Sequence, residues 1–206
     1  MGMILTGHAI LEAISAGHII IDPFNRDQVN PASYDLTLGD TVRVYKSWTH
    51  DCNEPGRPQD GMRIYERDIT IDVHQPAETV TYQISKDTGW VIKPGIGYLM
   101  HTAERVYTDH YVPVIDGKSS MGRLFVQVHE TAGYCDPGFD GQITLEVTAR
   151  HPVRVYPGMR FCQIRFHVPK GKIMLYSGHY TGEKAFGPVG SEIHDLFRMP
   201  ATGRSA

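Results

Sequence analysis

The feature that most constrains the fold is a series of short stretches rich in β-branched and aromatic residues, separated by glycine and proline. Such stretches are typical of β-strands joined by tight turns. Three of the chain's Pro-Gly pairs (Pro94-Gly95, Pro137-Gly138 and Pro157-Gly158) each precede one of them, and this pair suits a type II turn because glycine accepts its positive φ. The pattern predicts a mainly β domain, either a sandwich, a jelly roll or a distorted barrel. The predicted strands lie within Ile19–Ile21, Val42–Tyr45, Ile69–Val73, Val80–Ile84, Trp90–Ile92, Tyr98–Met100, Leu124–Val128 and Gln142–Val147.

One short helix is predicted near the start of the chain. Thr6 can cap the segment Gly7–Ala16, and Gly17 supplies a stop after it. Its apolar face is formed by Ile10, Leu11 and Ile14.

Length and composition limit the functions open to this chain. Its 206 residues are enough for one well-packed domain, and residues 1–206 are predicted to form a single domain. The net charge of -3 predicts no nucleic acid partner, because nucleic-acid binding needs a concentrated basic face. No apolar run reaches the roughly 20 residues that span a bilayer, and the first residues lack the pattern of a signal peptide. We therefore expect a cytoplasmic protein with no membrane partner.

The end of the chain and the cysteines add two expectations. Residues 178–206 are rich in glycine, proline and charge, which predicts a mobile C-terminal tail. The cysteines Cys52, Cys135 and Cys162 are odd in number, widely spaced and form no C-x-x-C, so neither a disulfide framework nor a zinc ribbon is predicted.

A first candidate for chemistry is the segment Asp116–Arg123. It places the hydroxyls of Ser119 and Ser120 between Lys118 and Arg123, with glycines nearby. Hydroxyls, close backbone amides and a guanidinium are the donors that bind phosphate. Taken alone, the segment is more simply interpreted as a polar turn before the strand at Leu124.

A second candidate is the strand that follows the Pro137-Gly138 turn. Polar and apolar residues alternate from Gln142 to Val147, which is the period of a half-buried strand. Gln142, Thr144 and Glu146 share one face. The ordinary interpretation of such a glutamate is a solvated carboxylate on an outer surface.

Together the two segments resemble the dCTP deaminase family. In that family a GRSSxxR segment is followed by a TA(H/G)xxDPG(W/F)xG turn and by a strand ending in Leu-Glu. Here Gly117–Arg123, Thr131–Gly141 and Thr144–Glu146 match these parts in order, and Asn30–Gly39 resembles the family's PxSxDLxLG motif. The resemblance covers most of the chain.

The resemblance implies a dUTPase-like distorted β-barrel or jelly roll with a short N-terminal helix, assembled as a homotrimer with active sites between subunits. It implies an enzyme that deaminates a deoxycytidine nucleotide, converting dCTP to dUTP and ammonia for dTTP supply. Glu146 would be the general base and then the acid, a role one carboxylate can fill if it reaches both water and ring. Ser119 would hydrogen-bond the reacting centre or the water, and Arg123 would orient Glu146.

The substrate-binding roles follow from the same resemblance. Lys118 and Ser120 would face the triphosphate, which carries Mg²⁺, and the backbone at Ala132 would help to hold the water. Asp136 would accept a hydrogen bond from the 3′-hydroxyl and Phe139 would pack against the sugar. The remaining predicted substrate-binding residues are Thr144, Tyr176, His179, Glu183 and Lys184.

Two comparisons of motifs narrow the chemistry. A dUTPase carries an apolar residue where this chain has Glu146, so the glutamate favours a deaminase. Zinc-dependent deaminases carry H-x-E and P-C-x-x-C signatures. Neither occurs in this sequence, which predicts a mechanism with no zinc and no protein-bound metal.

Departures from the family pattern leave alternatives open. Gly133 stands where monofunctional members usually have histidine, and glycine there resembles bifunctional members that continue from dUTP to dUMP and pyrophosphate. The family's K-Y-x-x-Q stretch corresponds to His179–Glu183, which allows a modified or differently phosphorylated deoxycytidine nucleotide as substrate. Feedback inhibition by dTTP is implied by the family, and a non-catalytic trimer with the nucleotide fold is the alternative outside enzymes.

Overall fold

Short antiparallel strands make up most of the computed structural model, which describes residues 3–46 and 70–195. Within these ranges there are twelve strands. They are β1 (Met3–Ile4), β2 (Ile20–Asp22), β3 (Tyr34–Thr37), β4 (Thr41–Tyr45), β5 (Thr79–Gln83), β6 (Trp90–Ile92), β7 (Tyr98–Tyr107), β8 (Val112–Gly117), β9 (Val126–Gln127), β10 (Asp140–Ala149), β11 (Val153–Val155) and β12 (Arg160–Val168). The helices are α1 (Gly7–Ser15), α2 (Ser119–Arg123) and short 3₁₀ helices at Arg26–Gln28 and Gly182–Ala185.

The strands form two main sheets and a two-stranded ribbon. One sheet has the order β1-β12-β3, with β8 also paired to β12. The larger sheet has the order β5-β4-β7-β10-β9, with β2 also paired to β7, and the ribbon joins β11 to β6. All pairings are antiparallel. The prediction of a mainly β domain is therefore confirmed.

The N-terminal helix α1 forms where the sequence predicts it. The Thr6 hydroxyl accepts a hydrogen bond from the Ala9 N–H at 3.4 Å, and Gly17 takes a φ of 75° directly after the helix. Ile10 and Ala13 are buried, whereas Leu11 is only half-buried. The buried stripe thus runs through Ala13 rather than Leu11.

Strand β10 crosses the larger sheet with one face in the core. Ile143, Leu145 and Val147 are buried there, as the alternating pattern predicts. Buried side chains from both sheets form one continuous apolar cluster that includes Tyr34, Tyr98 and Phe161. Trp90 belongs to this cluster, while Trp48 and Cys52 lie outside the described residues.

Two predicted strands differ from the structure. Residues 70–73 of the predicted strand Ile69–Val73 are not paired, and Ile71 is 47% exposed, while residue 69 lies outside the described ranges. In the segment Leu124–Val128 only β9 is a strand. The reason is local: the Leu124 N–H donates to the Met121 carbonyl at 3.0 Å, so the end of α2 uses residues that the pattern assigned to a strand.

The first part of the predicted tail is packed against β10. The Gly187 N–H donates to Gln142 Oε1 at 2.8 Å, and the Val189 N–H donates to Thr144 Oγ1 at 3.1 Å. Ala185, in the 3₁₀ helix, is buried against Gly141. We call residues 176–191 the strap. Its mobility stays a prediction, and residues 196–206 lie outside the described ranges.

Candidate active site

A cavity of about 400 Å³ lies between the outer face of β10, the turn that precedes it and the strap. Its walls combine aromatic rings with a few polar groups, as is typical of small-molecule sites. The residues that line it are Tyr45, Leu99, Ala132, Tyr134, Cys135, Asp136, Phe139, Gln142, Ile143, Thr144, Glu146, Tyr176, Tyr180, Ala185, Val189, Gly190 and Ser191.

Glu146 is the carboxylate that β10 presents to this cavity. Its neighbours Leu145 and Val147 point into the core, so the period of two directs Glu146 to the opposite face. Its Oε2 atom is buried and has no hydrogen-bond partner within the part of the chain that the structure describes. Burial raises the pKa of this carboxyl, and the backbone amide of Glu130 opposes the rise. A carboxyl of this kind is suited to both accepting and returning a proton.

Six of the predicted site residues meet at this cavity. Glu146 is joined there by Ala132, Asp136, Phe139, Thr144 and Tyr176. The sequence separates Ala132 from Tyr176 by more than forty positions, so the fold rather than the local chain brings them together. Their individual roles stay predictions.

The Pro137-Gly138 turn joins the start of the strap to the cavity wall. Gly138 has a φ of 88°, which favours glycine, and its N–H donates to the Thr108 carbonyl at 2.7 Å. The Tyr176 N–H donates to the Pro137 carbonyl at 2.7 Å. The Phe139 and Tyr176 rings then meet edge to face with centroids 6.3 Å apart. The turn therefore fixes two aromatic walls of the cavity.

The predicted catalytic residues Ser119 and Arg123 lie elsewhere on the chain. They belong to α2, are exposed, and do not line the cavity. Ser120 is exposed on the same helix. Within one chain these residues therefore do not share the wall of the cavity with Glu146. The expectation that a neighbouring subunit supplies them stays a prediction.

Lys118, predicted to face the triphosphate, is engaged within its own chain. Its Nζ atom donates to Asp35 Oδ2 at 2.5 Å. Asp35 is fully buried, while the Lys118 side chain keeps 26% of its surface exposed. The Lys118 ammonium group is therefore bound to a buried carboxylate, while its side chain stays partly exposed to solvent.

The predicted tail residues are divided by the structure. His179 and Lys184 do not line the cavity, and of Glu183 only the backbone is described, in the 3₁₀ helix. Tyr180 does line it. The Tyr180 hydroxyl accepts the Glu192 N–H at 2.8 Å, and the Tyr180 N–H donates to the Tyr176 hydroxyl at 3.2 Å.

Sequence reasoning did not select several residues that the structure places at the cavity. Gln142 shares the face of Thr144 and Glu146, so the alternation of β10 could have identified it. Leu99 pairs with Glu146 across β7 and β10, and Tyr45 lies on the next strand. No local signal identifies these last two, because only the pairing of strands brings them to the cavity.

His129 is a further residue near the carboxylate that the sequence did not suggest. Its Nδ1 atom is buried without a hydrogen-bond partner among residues 3–46 and 70–195. Its charge, when protonated, lowers the pKa of Glu146 by less than burial raises it. Cys135 also borders the cavity, but burial raises the pKa of its thiol to about 12, so the reactive thiolate form is disfavoured.

Residues 3–46 and 70–195 contain neither a metal-ligand cluster nor a membrane-spanning helix. No group of three or more His, Cys, Asp or Glu side chains there could hold a metal ion. No helix in those ranges is long and apolar enough to cross a membrane.

A family model matches almost the same residues that form the strands of the two sheets. The model described as dCTP deaminase-like matches residues 4–168. This chain belongs to the dCTP deaminase-like family. The prediction of an enzyme in this family is thereby confirmed, and so is the expected type of reaction, hydrolytic deamination.

Curated relatives of the family cover nearly the whole chain. A protein of Clostridium beijerinckii named "dCTP deaminase, dUMP-forming" is 38% identical over 187 residues, covering 90% of this chain and 95% of the relative. A protein of Methanosphaera stadtmanae with the same name is 36% identical over 209 residues, covering 98% of this chain and 99% of the relative. These names favour the bifunctional alternative over a reaction that stops at dUTP.

A solved structure supports the fold. The 2′-deoxycytidine 5′-triphosphate deaminase of Agrobacterium tumefaciens superposes with a TM-score of 0.56 at 24% identity and covers 82% of this chain. The match covers 49% of that chain, so this protein spans about half of its length. The likeness bears on the fold alone.

Proposed function

We propose that this protein deaminates dCTP and then hydrolyses the product to dUMP and pyrophosphate. This replaces the main prediction, in which the reaction stops at dUTP. Two relatives of nearly full coverage named dUMP-forming support the second step. The observation that carries the first step is Glu146, a partly buried carboxylate with a raised pKa that faces the cavity.

Glu146 performs the proton transfers of deamination. Its carboxylate takes a proton from water, and the hydroxide adds to C4 of the cytosine ring. The same carboxyl passes that proton to N3. It then takes the proton of the new C4 hydroxyl and passes it to the amino group, which leaves as ammonia while the C4 carbonyl forms. The balance is dCTP plus water giving dUTP plus ammonia. Groups of this kind contribute roughly 10²–10⁴-fold to the rate.

The second subunit completes this site in a homotrimer. Ser119 hydrogen-bonds the reacting centre or the water, and Arg123 orients Glu146 and adds positive potential. The exposure of both residues away from the cavity of their own chain supports this arrangement. The alternative of a trimer that only binds nucleotide gives no reason for a carboxylate oxygen at the cavity that has no hydrogen-bond partner among residues 3–46 and 70–195.

The walls of the cavity select a deoxynucleotide. Asp136 accepts the 3′-hydroxyl, and Phe139 packs against the sugar where a 2′-hydroxyl would lie. Tyr176 supports Phe139 by its edge-to-face contact. Thr144 and the backbone at Ala132 face the base and the water.

The triphosphate binds at Lys118 and Ser120 and brings Mg²⁺ with it. The ion is carried by the substrate, where it offsets the negative charge of the phosphates. A second water attacks the α-phosphorus of dUTP, and the bond to the β-phosphate oxygen breaks. The products are dUMP and pyrophosphate.

Packing at Gly133 supports the dUMP-forming alternative. A Cβ atom at this position would lie 2.8 Å from the Ile115 carbonyl oxygen and 3.0 Å from His129 Nε2. A histidine, as in monofunctional members, would require both neighbours to move. The surroundings of this turn are therefore built for glycine.

A single incubation with dCTP and Mg²⁺ tests the proposal. We expect ammonia, dUMP and pyrophosphate in equal amounts, without accumulation of dUTP. Accumulation of dUTP alone would show a monofunctional deaminase. Absence of every product, with turnover of a C5-modified dCTP or of dCMP in parallel reactions, would move the substrate to that nucleotide, as the His179–Glu183 stretch allows.

A further inference from the structure

The N-terminal segment Asn30–Gly39 matches a family motif but does not line the cavity. Its Asp35, on β3, is fully buried. Asp35 Oδ1 accepts a hydrogen bond from Asn30 Nδ2 at 2.7 Å, and Oδ2 accepts one from Lys118 Nζ at 2.5 Å. A buried carboxylate is stable only with such partners. The motif is therefore tied directly to the segment that precedes α2.

A second link runs through β12, which lies between β3 and β8. Gln163 pairs with Asp35 on one side and with Asp116 on the other. The Ser33 hydroxyl donates to Gln163 Oε1 at 2.9 Å, and Gln163 Nε2 donates to the Gly117 carbonyl at 2.9 Å. Two separate contacts thus connect the motif to the residues directly before Ser119.

We propose that Asp35 is a positioning residue that holds the Lys118 ammonium in place for the triphosphate. The inference rests on the proposed function, in which Lys118 binds phosphate. Asp35 itself touches no substrate and acts through the lysine. The N-terminal motif then serves phosphate binding from inside the fold.

The physical reason is preorganisation of a flexible side chain. Lysine carries its charge on a four-carbon stem and loses conformational entropy when it binds. The ion pair with Asp35 fixes the stem before the nucleotide arrives, which reduces the cost of binding. Arg160 Nη1 lies 3.7 Å from the same carboxylate, so Lys118, at 2.5 Å, is the nearer cation. The Nη2 atom of Arg160 donates to the Asp27 carbonyl at 2.9 Å.

Charge repulsion between Asp35 and the triphosphate would change the KM in the opposite direction to the positioning role. Asp35 is negative, and removing its charge would favour a bound triphosphate if simple repulsion dominated. The positioning role predicts a higher KM for Asp35→Asn, whereas repulsion predicts a lower one. The direction of the change therefore decides between them.

The first experiment compares Asp35→Asn with a matched control, Glu104→Gln. Glu104 is also buried and accepts hydrogen bonds from Gln28 Nε2 and from the Thr37 N–H and hydroxyl, but not from Lys118. For Asp35→Asn we expect the KM for dCTP to rise roughly tenfold or more, as for loss of one charged hydrogen bond, with kcat nearly unchanged. Glu104→Gln should leave KM unchanged.

The second experiment repeats the substitution in a Lys118→Met background. If Asp35 acts through the lysine, Asp35→Asn should raise KM no further there. An equal rise in both backgrounds, or an unchanged or lower KM in the single variant, would overturn the inference. Should Asp35→Asn not fold, Asn30→Ala is the milder variant, with a smaller rise that likewise disappears in the Lys118→Met background.

Binding of Mg²⁺-tripolyphosphate by calorimetry separates this inference from the proposed function. Failure of the wild type to turn over dCTP would remove the proposed function. The inference would then stand if Asp35→Asn still weakened tripolyphosphate binding, and it would fall if tripolyphosphate bound equally to both proteins or to neither.

Discussion

At the scale of single residues, Glu146 shows how a strand gives a carboxylate both burial and access. Leu145 and Val147, its neighbours on β10, lie in the core. Glu146 lies on the opposite face, where its Oε2 atom is buried at the edge of the cavity. Withdrawal from water disfavours the charged form, which is why the pKa rises. The same position places the carboxylate in the wall of the cavity, which is where the proposed function brings water and the nucleotide base.

Glu146→Gln tests the proton-transfer role. The amide keeps the size of the side chain but cannot accept a proton, so ammonia release should fall by at least about 10²–10⁴-fold. Nucleotide binding, measured by calorimetry, should persist. Glu12→Gln, an exposed change on α1, serves as the control and should retain full activity. Near wild-type turnover by Glu146→Gln would remove the assignment.

The raised pKa also has a consequence for stability. Because the folded-state pKa of Glu146 is above its ordinary value of 4.5, the folded protein binds this proton more tightly than the unfolded chain does. The ionised carboxylate therefore costs stability above the folded-state pKa, and the cost vanishes below pH 4.5. Glu146→Gln should be more stable than the wild type at pH 7, with a smaller difference at pH 4. Denaturant unfolding at both pH values measures this, and an equal difference at both would contradict it.

At the scale of elements, local patterns predicted some parts better than others. β10 and α1 were predictable because alternation and capping are read from consecutive residues. α2 was not, since five residues give no helical period and its polar residues suit a turn equally well. Tyr45 and Leu99 needed the pairing of β4, β7 and β10, which no single segment reveals.

The strap depends on the absence of a side chain at Gly141. A Cβ there would lie 2.3 Å from Ala185 Cβ and 2.6 Å from the Ala185 carbonyl oxygen. Gly141→Ala should therefore displace the 3₁₀ helix, raise the KM for dCTP several-fold and increase proteolysis within the strap. Gly97→Ala is the matched control, because nothing lies within 4 Å of a Cβ at that exposed glycine. Equal KM values for the two variants would show that the strap does not contribute to binding.

At the scale of the whole molecule, one chain holds two halves of the proposed site in different places. Glu146 lines the cavity, and Arg123 lies on an exposed helix outside it. The family resemblance implies that the halves join between subunits, so that Glu146 and Arg123 of one site come from different chains. A mixing experiment tests this arrangement.

Glu146→Gln and Arg123→Ala should each be inactive alone and active together. If each site takes Glu146 from one subunit and Arg123 from the next, random equimolar trimers should have about a quarter of their sites intact. Mixing after mild dissociation, followed by ammonia release, measures the recovery. The double variant mixed with either single variant should recover nothing. Lack of recovery from the two single variants, in samples shown to exchange subunits, would place both residues in one subunit.

Side chains of β10 hold the strap through hydrogen bonds to its backbone. Gln142 Oε1 accepts the N–H of Gly187, and Thr144 Oγ1 accepts the N–H of Val189. Pro188, between them, has no backbone N–H. These two hydrogen bonds depend on the spacing of the backbone N–H groups along the strap and not on the side chains at positions 187 and 189. Exposed side chains of the strap can therefore change without loss of these two hydrogen bonds, so a different base preference at the proposed site does not require a new course for the backbone above β10.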